Sequence, residues 1–253
     1  MSTTTAQLTW DACYNTRDLG GLPTAGGGQT HTGVVVRSDI LARLTPAGVQ
    51  AIIGYGVRAI IDLRSPDEVA QEPYTLPQPT GGGSLPVYYN LPFVDRSQLD
   101  PAIFAQAHDL TAEYCLMLDH CMPQVAAIVE QIAGLNQGAT VIHCHAGKDR
   151  AGLIAALLLA LAKVPAPIIA ADYAASEERL WPLYHQLVAA AAGDPARLAQ
   201  LPPKPSAPPE RILATLDHIA TRYGDVNAYL LQAGVAPQTL TRLQERLVQP
   251  HSE

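Results

Sequence analysis

Hydrophobic and polar positions follow two periods along this chain, and the change of period divides it. The first third carries short β-branched runs punctuated by turns. Val34-Val35-Val36 reads as a strand after glycine-rich loops at Gly20-Gly21 and Gly26-Gly27-Gly28. Val57 to Leu63 (VRAIIDL) is almost continuously apolar, the pattern of a strand buried on both faces. Thr45-Pro46 places an N-cap before proline at the first helical position and predicts a short helix to about Gly54. Ser65-Pro66-Asp67-Glu68 adds a capping box to the same proline placement and starts another helix. Leu85 to Leu91 is a further strand, after a Pro/Gly-rich loop from Pro77 to Ser84.

Helical spacing then takes over, with helices expected at 99–107 and 110–121. Over 123–135, Val125, Ile128, Val129, Ile132 and Leu135 share one face. Ala139 to His143 returns to strand, and an Ala/Leu-rich helix runs on to about Lys163. Helical patterns fill 166–192 and 209–248, separated by LPPKPSAPPE, a loop or semi-rigid linker. Strands alternating with helices early, and helices late, predict one α/β domain with a helical C-terminal portion.

Composition narrows the partners. With 253 residues, 48% hydrophobic and 15% charged, the chain can bury a core without a disulfide or metal staple. A net charge of −7 excludes bulk attraction to nucleic acid or anionic lipid but permits a local cationic pocket. The longest apolar run, Ala151 to Ala162, is shorter than the roughly 20 residues of a membrane span. MSTTTAQLTW lacks the features of a Sec signal, and Cys13, Cys115, Cys121 and Cys144 are too sparse for a disulfide framework. A reduced, cytoplasmic protein is expected, with signal-less export left open.

The chemistry concentrates in HCHAGKDRAG, residues 143–152. A buried strand delivers Cys144 to a loop, and a helix begins at Arg150. A free thiol, with a pKa of about 8.5, is mostly protonated at neutral pH; a helix N-terminus and a nearby cation favour the thiolate. Loop N–H groups and the helix dipole suit an anion, and a guanidinium matches two phosphate oxygens. Gly147 permits a tight backbone turn. Three other readings are weaker. Buried cysteine is commonly core, but here the spacing to Gly147 and Arg150 argues otherwise. A Walker A loop fails because Asp149 stands where magnesium needs Ser or Thr. A zinc site at His143, Cys144 and His145 fails because neighbours on a strand face opposite ways.

The Cys-(x)5-Arg loop, preceded by His143, resembles that of the protein tyrosine phosphatase superfamily. The form HCxAGKDRxG resembles its bacterial and fungal tyrosine-specific branch, which includes phosphoinositide phosphatases. Asn15-Thr16-Arg17-Asp18-Leu19-Gly20-Gly21 is similar to that branch's NxRDLGG motif, and residues 223–230 with GVAPQTLTRLQERL to its C-terminal helices. The resemblance implies a tyrosine phosphatase-like fold, a mostly parallel central sheet flanked by helices. It implies a single domain over 11–249, leaving 1–10 as a flexible segment. It makes Cys144 the nucleophile and Arg150 the phosphate clamp, with the backbone of His145, Ala146, Gly147, Lys148, Asp149 and Arg150 around the phosphate. No metal or cofactor is implied. The substrate would be a phosphorylated protein or phosphoinositide; the oligomeric state is left open.

The proton donor is less determined. The resemblance favours Asp149, with Asp62 and Asp95 as rivals, and Lys148 as added charge for polyanionic substrates. Ala151 departs from the Ser or Thr usual after the arginine, so slowed hydrolysis of the intermediate is expected unless His145 or another donor compensates. His143 is expected to support the loop. Arg17 and Asp18 either brace the site or pair with each other, Arg64 either reaches the pocket or lies on the surface, and Arg37 is structural. His31, His108, His120, His185 and His218 show no partner pattern, and Tyr173, Trp181 and Tyr184 suit core packing better than a cleft wall. Two other classes of function stay in view: a catalytically slow phospho-ligand binding module and a rhodanese-type sulfurtransferase.

Overall fold

The computed structural model describes residues 5–79, 83–94 and 99–249. In chain order the elements are β1 (Arg17–Asp18), β2 (Gln29–Thr30), β3 (Val35–Ser38), α1 (Pro46–Gly54), β4 (Val57–Asp62), α2 (Pro66–Gln71) and β5 (Val87–Asn90). There follow α3 (Pro101–Phe104), α4 (Leu110–His120), α5 (Met122–Gly134), β6 (Ala139–His143), α6 (Arg150–Leu161) and α7 (Ala166–Ala190). The described residues close with α8 (Pro195–Ala199), α9 (Pro209–Tyr223), α10 (Val226–Ala233), α11 (Pro237–Leu247) and β7 (Val248–Gln249).

The central sheet has five strands in the order β1-β3-β6-β4-β5. The pairs β3–β6, β6–β4 and β4–β5 are parallel, and only the edge strand β1 is antiparallel. Both faces are buried, yet period-2 alternation persists. Val35, Ile61 and Ile142 face a large core built with the helices from α4 onward, whereas Val36, Ile60 and Val141 face a smaller core with Trp10, Val49 and Ile52. Strand register brings Ser38, His143 and Asp62 side by side at the carboxyl ends of the parallel strands. In open α/β sheets that edge is where ligands bind.

Both start signals act as expected. Thr45 Oγ1 accepts from Gly48 N–H at 3.3 Å, and Ser65 and Glu68 close a reciprocal capping box. The helix expected at 99–107 shortens to α3, and the pattern over 209–248 divides into three helices. Gly224, at φ +92°, ends α9, and Asp225 then caps α10 through Ala228 N–H at 2.7 Å. Of the 1–10 segment, residues 5–10 are described: Trp10 is buried in the smaller core, and Thr5 Oγ1 donates to Asp172 at 2.8 Å. No helix among the described residues is long and apolar enough to cross a membrane.

One polar cluster lies inside the apolar layers. Arg17 and Arg37 are cross-strand partners on β1 and β3, and both bind the Asp172 carboxylate of α7 at 2.6 Å. Burial alone would raise the Asp172 pKa, but the two guanidiniums outweigh it and hold the group well below the usual carboxylate range. Removing the carboxylate leaves two buried cations facing each other without a counter-charge. Asp172→Ala is therefore expected to lower stability by about 3–5 kcal/mol, measured by urea unfolding at neutral pH.

Candidate active site

The loop from Cys144 to Asp149 joins β6 to α6, and each of its carbonyls is held by a protein donor. Cys144 O accepts from His143 Nδ1 at 3.1 Å, His145 O from Ile40 N–H at 3.0 Å, and Ala146 O from Asn15 Nδ2 at 2.9 Å. Gly147 O and Lys148 O both accept from Arg37 Nη2, at 2.7 and 3.2 Å, and Asp149 O from Leu153 N–H at 2.9 Å. In a planar trans peptide the next N–H points opposite to the carbonyl. Pinning carbonyls 144–149 therefore turns the N–H groups of residues 145–150 to the other side, at the N-terminus of α6, where the helix dipole adds positive potential. Gly147 sits at φ +65°, and a Cβ there would lie 2.4 Å from Ser38 O, so no other residue fits without moving the strand.

Cys144, the first residue of this loop, is 2% exposed. Arg150 extends its guanidinium to Glu68, with Nη1 at 2.5 Å and Nη2 at 2.7 Å from the two carboxylate oxygens. Burial would raise the Glu68 pKa, but the Arg150 hydrogen bonds prevail and bring it down to about 2. Arg150 is correspondingly raised: burial opposes its charge, and the Glu68 carboxylate overrides burial. The capping box thus does more than start α2, since it also fixes the carboxylate that aims the guanidinium. Sequence reasoning saw the box and missed this partner.

Asp149 stands at the rim between two cavities. One, of about 510 Å3, has apolar walls from Val94, Phe104, Leu110 and Met117, with Asp149 and Arg150 among its polar lining. The other, of about 370 Å3, lies between Lys148 and the 202–205 segment, with Tyr184 and Leu180 of α7 in its wall. Asp149 Oδ1 accepts from the buried Tyr114 hydroxyl and lies 3.4 Å from Lys148 Nζ. Lys148 also donates to Ser206 O at 3.0 Å, and Ala207 is buried, so LPPKPSAPPE packs against the loop and is no free linker.

The rival candidates fall elsewhere. Asp62 is fully buried and takes Arg64 Nε and Nη2 at 3.0 and 2.7 Å, with the Tyr88 hydroxyl at 3.0 Å. Burial pushes its pKa up, but the Arg64 hydrogen bonds prevail and keep it low, so it holds no proton to donate at neutral pH. Arg64 is consumed by that pair and lies in the interior, not on the surface. Asp95 lies outside the described residues. Arg17 and Asp18 do not pair: Arg17 braces the Asp172 cluster, while Asp18 accepts Gly20 and Gly33 N–H at 2.5 and 2.7 Å. His143 is buried, and burial lowers its pKa despite Asp62 at 3.7 Å, so it stays neutral and supports Cys144 O. The His145 ring is half exposed, 3.5 Å from Glu72, and Ala151 is sealed in the core. His218 does have a partner, Asp119 at 2.8 Å, which ties α9 to α4. Tyr173 is core, as expected, whereas Tyr184 lines the second cavity.

A buried cysteine opening a loop pinned through its carbonyls, with a guanidinium at the start of the following helix, is the arrangement of the cysteine-loop phosphatases. The chain belongs to the tyrosine phosphatase family, whose profile matches residues 8–249. It is 32% identical over 225 residues to a tyrosine-protein phosphatase of Nostoc commune, covering 85% of this chain and 74% of that one. A provisionally named tyrosine-protein phosphatase of Cupriavidus necator is 29% identical over 237 residues, covering 89% of this chain and 83% of that one.

The Glu68–Arg150 pair carries a pH signature. A carboxylate lowered on folding from 4.5 to about 2 contributes stability that is complete above the unfolded value and is lost as pH falls through the folded one. Glu68→Gln is expected to flatten that acidic stretch of the stability curve while leaving its neutral-to-alkaline shape unchanged. Urea midpoints measured from about pH 6 down to pH 2 check it.

Proposed function

We propose that this chain, as one domain over 11–249, hydrolyses phosphotyrosine monoesters through a phosphocysteine intermediate. Cys144 Sγ attacks phosphorus as the thiolate, and the N–H groups of residues 145–150 and Arg150 bind the phosphoryl oxygens. Asp149 gives a proton to the departing phenolic oxygen, and the same carboxylate then takes one from the water that hydrolyses the intermediate. No cofactor or metal enters these steps, because the cup itself supplies the positive charge. A phosphorylated protein is the substrate in this reading, and nucleic acid has no part. The cytoplasm is the compartment proposed, since a nucleophilic thiol needs reducing surroundings.

The observation that carries the reading is the apolar-walled cavity opening beside Asp149 and Arg150, which suits an aromatic ring attached to the bound phosphate. Lys148 is already engaged by Ser206 and Asp149, so its ammonium does not single out a polyphosphorylated inositol headgroup. Ala151 presents no hydroxyl to the sulfur, and breakdown of the intermediate is accordingly the slow step.

Wild-type protein is expected to release phosphate from a phosphotyrosine peptide, with a burst of peptide product in rapid mixing. Cys144→Ser should lower turnover at least about 10³-fold while retaining phosphate binding. Turnover surviving in Cys144→Ser contradicts the mechanism. Binding without turnover in wild type indicates a binding module, and thiosulfate-dependent thiocyanate formation a sulfurtransferase. A phosphoinositide preferred over the peptide overturns the substrate assignment.

A further inference from the structure

Behind Asp149 a chain of donors runs into the core with a defined direction. Arg211 Nη1 on α9 donates to the Tyr173 hydroxyl at 3.1 Å, and the Tyr173 and Tyr114 hydroxyls are 2.9 Å apart. Tyr114 in turn donates to Asp149 Oδ1. A guanidinium can only donate. The Tyr173 oxygen accepts from Arg211, and because Tyr114 spends its one hydrogen on the carboxylate, the Tyr173 hydroxyl is the donor between the two tyrosines. Tyr114 and Tyr173 are buried, and their rings meet edge to face at 87°, so neither hydroxyl can turn away without disturbing the core.

We propose that Tyr114 is the positioning residue of the proton donor: it occupies Asp149 Oδ1 and so confines the transferable proton to Oδ2. This rests on Asp149 being the acid in the reading above. Lys148 Nζ, 3.4 Å from Oδ1, adds a positive charge beside the same oxygen. When sulfur attacks phosphorus and the P–O bond to the aryl group breaks, the proton on Oδ2 moves to the phenolic oxygen. Oδ1 keeps the Tyr114 hydrogen bond before and after, and the carboxylate left behind is stabilised by it. Asp149 lies in the loop itself, one residue before α6, and its side chain makes no hydrogen bond at the helix cap. Orientation must then come from α4, α7 and α9, which is what the relay supplies.

The test compares kcat/KM on two aryl phosphates, one releasing phenol, with a pKa of about 10, and one releasing 2,4-dinitrophenol, which departs without a proton. Each ratio between substrates is independent of the fraction of protein that is folded, so partial unfolding does not obscure it. Asp149→Asn should lose about 10²-fold more on the phenyl than on the dinitrophenyl ester. Tyr114→Phe should lose about tenfold more on the phenyl ester, and Tyr173→Phe a smaller change in the same direction. If Asp149→Asn shifts the ratio and Tyr114→Phe leaves it at the wild-type value, the positioning role is wrong and the acid stands. If Asp149→Asn leaves the ratio unchanged, Asp149 is not the acid and the inference fails with it.

Discussion

A single carboxylate, Asp172, holds two guanidiniums that would otherwise repel each other across an antiparallel strand pair. Like charges directly opposite on one sheet face are unfavourable, and here both are out of water. With Asp172 between them, Arg17 ties the first strand to α7, and Arg37 is free to spend its remaining donors on the loop. Those donors hold Gly147 O and Lys148 O, and the peptide plane turns the following amides toward the anion site. The geometry of the cup is thus set from behind by buried charge. Arg37 reaches the loop from 110 positions away in sequence.

The electrostatics of the site follow from the same arrangement. A net charge of −7 describes the surface, while the cup gathers amide dipoles, a helix N-terminus and Arg150 within one turn of backbone. Glu68 holds both terminal nitrogens of the guanidinium in place. Lys148 is committed to Ser206 O of the LPPKPSAPPE segment and to Asp149, so it shapes the rim as much as it charges it.

Much of this was legible in the residues. Strand β4 from its apolar run, α1 and α2 from their capping signals, and the Cys144–Arg150 loop from its spacing all stand where the pattern placed them. Local signals have local causes. What was illegible depends on contacts across the chain: Arg37 and Asp172 are 135 positions apart, and nothing in either neighbourhood marks the pairing. Tyr114 looked like one more residue of an amphipathic helix, although its hydroxyl meets Asp149. Asp62 and Arg64 were read as site candidates because they follow a buried strand. The structure pairs them with each other, since a charge at that depth needs a partner within reach. Helix ends at Gly224 and Gly234 were present as glycines but were masked by a strong apolar period on either side.

We propose that six amides, turned by carbonyls pinned from behind, bind the phosphate. The decisive measurement follows the backbone amide resonances of Cys144→Ser protein during titration with inorganic phosphate. The expected result is saturable shifts largest at residues 145–150, with the outer surface of α7 unmoved. Saturable phosphate binding that leaves those amides unshifted would contradict it.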